Sequence, residues 1–131
     1  MLIVVLSADR GRVERWSHLW GDHVVFPVEP STPAEGHARL AKHAVAEGWD
    51  ESVLVHQDDV VVEGVVAGLH HGTVTSYVPY DDYGHVCPKA FTATGEGWGR
   101  LAFRWGRSVG SACLRFHPDH TRSGHVSAVP S

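Results

Sequence analysis

Two adjacent carboxylates directly after an apolar run are the feature of this sequence best suited to chemistry. They are Asp58 and Asp59, in Val53-Leu-Val-His-Gln-Asp-Asp-Val60. Paired ionised groups at the end of a buried strand are costly unless they meet a cation or stay at the solvent rim. Oxygen donors of this kind suit Mg²⁺ or Mn²⁺, with water and substrate phosphates completing the shell. The plainer reading is that the pair caps the turn that follows. The chain also holds eleven histidines. His70, His71, His117 and His120 form a candidate zinc set, although a packed or solvated imidazole is the ordinary state of such a residue.

Positioning such groups requires a scaffold, and the hydrophobic pattern supplies one. Residues 2–6 are a continuous apolar run, as expected of a strand buried on both faces, and Ser52-Val-Leu-Val-His56 reads as another buried strand. Residues 23–28 read as a strand between them and 73–78 as a fourth. Residues 12–20 carry Val13, Trp16, Leu19 and Trp20 at helical spacing. Thr32-Pro33-Ala34-Glu35 is a capping box with Pro at the first helical position, followed by an apolar face through Ala38, Ala41 and Val45 and a stop at Gly48. Residues 60–69 read as a short strand and a short helix. The order strand, helix, strand, helix, strand predicts an α/β domain with a mainly parallel sheet. Ligands bind such sheets at the carboxyl ends of the strands. Residues 7–10, 29–32 and 57–59 all fall there and are expected to converge on one rim.

Residues 79–107 change character. They are rich in Gly and aromatic residues and read as a long loop region with one helix around Leu101. A last strand is expected over 109–116, a short helix from His117, and a frayed tail over 123–131. The predicted organisation is one domain over 1–131, with an α/β half at 1–78, a loop region at 79–122 and the tail.

Composition narrows the function classes. The 131 residues carry 11 Lys+Arg against 15 Asp+Glu, a formal charge of −4. A general electrostatic grip on nucleic acid or anionic membrane does not follow from that balance. Two cysteines, Cys87 and Cys113, are too few for a disulfide scaffold and lack C-x-x-C spacing. With no signal-peptide pattern and no long apolar span, the expectation is a cytoplasmic protein without membrane insertion.

The strand followed by Gln57-Asp58-Asp59 resembles the DxD-type motif of nucleotide-sugar glycosyltransferases of the GT-A fold. Lys42-His43 stands near the Arg-Asn of many such enzymes. The chain is most similar to short glycosyltransferase-like proteins of actinobacteria and their phages. The shared features are Leu54-Val-His-Gln-Asp-Asp-Val60, Val74-Thr-Ser-Tyr-Val78 and a late segment from Trp105 to Pro118. The likeness covers about residues 1–120. Gln57 replaces the first carboxylate of the motif, and the chain is far shorter than a typical transferase.

The resemblance implies a minimal, single three-layer GT-A-like domain that moves a sugar from a nucleotide-diphosphate donor to an acceptor hydroxyl. It implies Mn²⁺ or Mg²⁺ as cofactor, held mainly by Asp59, with Asp58 as second ligand or ribose contact and a late His, His117 or His120, completing the shell. Ser7, Asp9 and Glu29 would hold the nucleoside, and Arg10, Arg39 and Lys42 the diphosphate. Glu96 is a candidate catalytic base, with Asp81 and Asp82 competing. Trp98 and Trp105 are candidates to stack on a sugar, whereas Trp16, Trp20 and Trp49 read as packing residues. Arg100, Arg104 and Arg107 form a helical stripe read as solubilising. The acceptor could be a protein, a modified DNA base or a glycan, and a homodimer is compatible. The rival readings are a non-catalytic, phage-related binding module on the same fold and a His-rich zinc domain.

Overall fold

A computed structural model describes residues 1–28, 33–64, 72–78, 89–107, 116, 118–123 and 126–130. The apolar runs become strands as expected: β1 (Leu2–Ser7), β2 (Val24–Pro27) and β3 (Val53–Gln57). Between β1 and β2 lies α1 (Arg10–Trp16), followed by a short 3₁₀ turn, Ser17–Leu19. Asp9 starts α1 by accepting the Arg12 backbone N–H on its side chain at 3.2 Å.

The second helix, α2, runs Pro33–Glu47. It ends because Gly48 takes φ 67°, open to glycine at little cost. Trp49 N–H then reaches Ala44 O and Gly48 N–H reaches Val45 O, closing the last carbonyls in a Schellman arrangement. After β3 come β4 (Val60–Val62), β5 (Val74–Val78), β6 (Ala90–Ala93), α3 (Glu96–Gly106), β7 (His120–Ser123) and β8 (Val126–Ala128).

Among the described residues, the main sheet has six strands in the order β2-β1-β3-β6-β5-β7. It is mostly parallel: β1 pairs in parallel with β2 and β3, and β5 with β7. Among the described strands of this sheet, β6 alone runs against its neighbours, β3 and β5. Its register sets Ala90 beside His56 and Ala93 beside Val53. The start of β6 therefore meets the carboxyl rim of β3, and its end meets the opposite edge of the sheet.

Alternation along the strands divides the core. Val4, Leu6, Val53, Val55, Val74 and Phe91 point to the face covered by α2 and α3, where Leu40, Ala41, Trp98, Leu101 and Trp105 join them. Leu54, Tyr77 and Ala90 point to the other face and pack on Val60 and Val126. That face is covered by a small two-stranded sheet, β4 with β8.

Several expectations change here. Residues 92–99, read as loop, instead finish β6 and open α3, because Trp98, Leu101 and Trp105 present one buried stripe. The helix expected from His117 is replaced by β7, which pairs with β5. Residues 126–128 are not frayed but pair with β4, and Val129 N–H donates to Asp59 O at 3.0 Å. Residues 109–115 of the expected last strand, the helix expected over the last residues of 60–69, and both cysteines lie outside the described residues.

Candidate functional site

The carboxyl ends of β1 and β3 lie side by side, and they bring Ser7 to Asp58. Ser7 Oγ donates to Asp58 Oδ2 at 2.7 Å and accepts the Asp9 N–H at 3.1 Å. Arg12, on the first turn of α1, donates from Nη1 to Asp58 Oδ1 at 3.2 Å. Asp58 is thus a buried carboxylate, 7% exposed, held from two sides. The bond to Asp58 is the main cause of the raised Arg12 pKa, so the guanidinium stays charged throughout.

Asp9, Arg12 and Asp58 line one pocket of about 200 Å³. Its walls are Leu6, Ala8 and Val28 on the apolar side, with Asp9, Arg12, Gln57, Asp58 and the buried ring of His37 completing it. An apolar floor with a few convergent polar groups is the usual form of a small-molecule site. Val28 is fixed at this rim by donating its N–H to Ser7 O at 2.9 Å. Gly36 lets α2 approach it, since a Cβ there would lie 2.8 Å from Val28 Cγ1.

Asp59 faces a different partner. Lys89 donates from Nζ to Asp59 Oδ2 at 2.6 Å and to Gln57 Oε1 at 3.4 Å. The reversed direction of β6 is what brings Lys89 there, and Gln57 N–H anchors it by donating to Lys89 O at 2.9 Å. The other oxygen, Asp59 Oδ1, is buried without a hydrogen-bond partner. Beneath the rim, His56 is 2% exposed and its Nδ1 lies 2.7 Å from Gln57 O. Burial pushes its pKa below the usual histidine value, so it sits neutral at pH 7. The Trp20 ring packs edge-on against it at 5.6 Å, with its own N–H donated to Val60 O.

No family model and no curated protein matches the chain. A solved structure does. It is the crystal structure of a glycosyltransferase involved in the glycosylation of the major capsid of PBCV-1, with a TM-score of 0.50 over 85% of this chain and 68% of that one. At 13% identity the likeness is one of fold.

The expected residues divide by rim. Asp9 and Asp58 line the pocket, Ser7 holds Asp58 from behind it, and Asp59 is engaged by Lys89. Arg10 and Lys42 are exposed on α1 and α2. Arg39 is engaged in holding the end of β2, donating to Pro27 O at 3.3 Å and Val28 O at 2.9 Å. Glu29, Asp81, Asp82, His70, His71 and His117 lie outside the described residues.

Glu96 and His120 are not brought to this rim. Glu96 follows the far end of β6 and lines an open trough on α3 with Gly99, Arg100, Phe103 and Arg104. His120 pairs with Thr75, which pairs with Thr92, toward that same far edge. The sugar-stacking candidates are also elsewhere: Trp98 and Trp105 are 1% and 0% exposed in the core. Two site residues escaped sequence reasoning. Arg12 sits in the first turn of a helix, and Lys89 precedes a four-residue strand inside a stretch whose composition reads as loop. The run Ala90-Phe-Thr-Ala93 was the signal available for the second.

The described residues do not fit a divalent cation. Arg12 and Lys89 already neutralise Asp58 and Asp59, Ser7 donates to a third oxygen, and the oxygen without a partner, Asp59 Oδ1, is buried. Hard divalent ions need several oxygen donors. Among the described residues, no group of three or more His, Cys, Asp or Glu could hold one. No helix among them is long and apolar enough to cross a membrane.

Proposed function

We propose that this protein binds a nucleoside-diphosphate sugar at the Ser7–Asp58 rim and transfers the sugar to an acceptor hydroxyl. The observation that carries this reading is Asp58, buried between Ser7 and Arg12 at the carboxyl ends of adjacent parallel strands. The similarity of the fold to a glycosyltransferase supports it. Leu6, Ala8 and Val28 would pack on the base and ribose carbons, and Asp9 and Asp58 would accept ribose hydroxyls. A carboxylate offers about four acceptor sites, so Asp58 retains capacity beyond Ser7 and Arg12.

In the transfer, the bond between sugar C1 and the diphosphate oxygen breaks with its electron pair on the phosphate. A bond from the acceptor oxygen to C1 forms, and the hydroxyl proton passes to a base or to water. Asp82 remains the loop candidate for that base. The solved neighbour is involved in the glycosylation of the major capsid of PBCV-1, which makes a protein acceptor one class to test beside a modified DNA base or a glycan. A cytoplasmic setting suits this donor class.

A binding module without turnover is the second reading, favoured by the position of Glu96 on the opposite rim. One experiment separates them. Wild type and Asp58→Asn are screened by thermal shift against nucleoside diphosphates and their sugars, and release of free diphosphate is followed by ³¹P NMR. Binding with release supports the transferase; binding without release supports the module. No shift with any nucleotide sinks both.

A further inference from the structure

We propose that Lys89 supplies, beside Asp59, the positive charge that a divalent cation would otherwise supply to the donor diphosphate. The inference rests on the nucleotide-sugar reading above and deepens it: binding of the diphosphate is metal-independent.

The first argument is charge. Two carboxylates and one divalent ion sum to zero. Asp58, Asp59, Arg12 and Lys89 also sum to zero, with both cations in contact with the carboxylates. Gln57 at the head of the motif removes the third negative charge that would have called for more. The second argument is geometry. An ammonium has three donors. Asp59 Oδ2 and Gln57 Oε1 take two of them, at 2.6 and 3.4 Å, which leaves one for a ligand. The Lys89 side chain is 32% exposed, so a phosphate oxygen can reach it. The third argument is position. Antiparallel β6 delivers Lys89 to the carboxyl rim, where the pocket and Arg12 already lie.

The chemistry is electrostatic. As the C1–O bond breaks, the electron pair settles on the terminal phosphate oxygen, and a fixed ammonium there stabilises the leaving diphosphate. The acceptor hydroxyl supplies the new oxygen–carbon bond, and its proton leaves to base or water. Asp59 orients Lys89 and does not itself touch the phosphate.

The test uses the full chain and titrates UDP, GDP, ADP, CDP and dTDP by calorimetry, in EDTA and in Mn²⁺, with inorganic pyrophosphate as competitor. The expected result is a diphosphate that binds equally well in EDTA, is displaced by pyrophosphate, and binds about 10- to 100-fold more weakly to Lys89→Met, the usual loss for a charge-assisted hydrogen bond. Binding of the matching nucleoside is unchanged in that variant, and Lys89→Arg restores the diphosphate. Binding that requires Mn²⁺, or that survives Lys89→Met in EDTA, overturns this inference and leaves the transferase reading standing. No binding in either buffer overturns both. If Lys89→Met does not fold, the EDTA and Mn²⁺ comparison on wild type decides alone.

Discussion

Ser7 and Asp58 lie fifty-one residues apart in the chain, yet Ser7 Oγ and Asp58 Oδ2 are 2.7 Å apart and buried. The parallel pairing of β1 with β3 sets their separation, because Leu6 aligns with Gln57 and the next residue on each strand reaches the rim. The hydroxyl hydrogen bond and the Arg12 guanidinium together let a carboxylate exist where water barely reaches. Structure and ligand capacity therefore depend on the same two contacts.

Ser7→Ala removes one of them without adding bulk. Asp58 then keeps Arg12 but leaves an oxygen unsatisfied, at a cost of about 1–3 kcal/mol. Urea unfolding should show the midpoint falling with an unchanged slope. Nucleotide affinity should fall with it. A variant with wild-type stability would show that Asp58 does not need the hydroxyl.

His56 gives the fold a pH dependence of known sign. Burial holds its folded pKa below the value near 6.5 of an unfolded chain. The unfolded state therefore takes up the proton first. The stability contributed by the neutral ring is fully present above about pH 6.5 and declines as pH falls from there toward the folded pKa. His56→Gln should flatten that part of the stability profile, and an NMR titration of the ring should give a midpoint below 6.5. A midpoint above it would remove the buried, neutral ring from the account.

Asp119 titrates at the other end. Its carboxylate receives two hydrogen bonds from Arg100, at 3.0 and 2.8 Å, and one from Val74 N–H at 2.7 Å. The Arg100 contact does most to hold its pKa down to about 2, against an ordinary 3.8. The resulting stability is present above pH 3.8 and is lost as pH falls through about 2. The pair is solvent-exposed, so the gain is under about 1 kcal/mol after screening. Arg100→Met should return the Asp119 pKa toward 3.8 in a carboxyl-carbon NMR titration, while hydrogen exchange at Val74 N–H quickens.

Much of this architecture was legible because its signals are local. Residues 2–6 and 53–55 are apolar on every position, which fits strands with α2 and α3 on one face and β4 and β8 on the other. Pro33 and Gly48 frame α2 almost to the residue. The paired carboxylates were legible too, and so was the rim shared with Ser7 and Asp9. What was not legible depends on pairing between distant segments. Four residues, Ala90-Phe-Thr-Ala93, are too short to announce a strand among glycines and tryptophans, and nothing local fixes their direction. That direction decides which rim receives Lys89 and which receives Glu96. β8 likewise exists because β4 pairs with it, not because Val126-Ser-Ala128 prefers extended structure.

Trp105 belongs to the core, and its truncation measures how much that core depends on it. Trp105 is fully buried among His37, Phe91 and Phe116, with ring centroids at 5.6, 5.6 and 6.0 Å. Trp105→Ala leaves a cavity between α2, α3 and the sheet and should cost about 3–5 kcal/mol, a large share of a typical domain's stability. The indole N–H has no hydrogen-bond partner although it is buried. Trp105→Phe therefore removes an unsatisfied donor as well as volume, and should cost clearly less than the alanine variant. Phe103, two residues earlier and 67% exposed, sets the baseline. Phe103→Ala should stay within about 0.5 kcal/mol of wild type. Urea midpoints for the three variants rank these costs. If Trp105→Ala were as stable as Phe103→Ala while sugar binding was lost, the indole would belong to the ligand and not to the core.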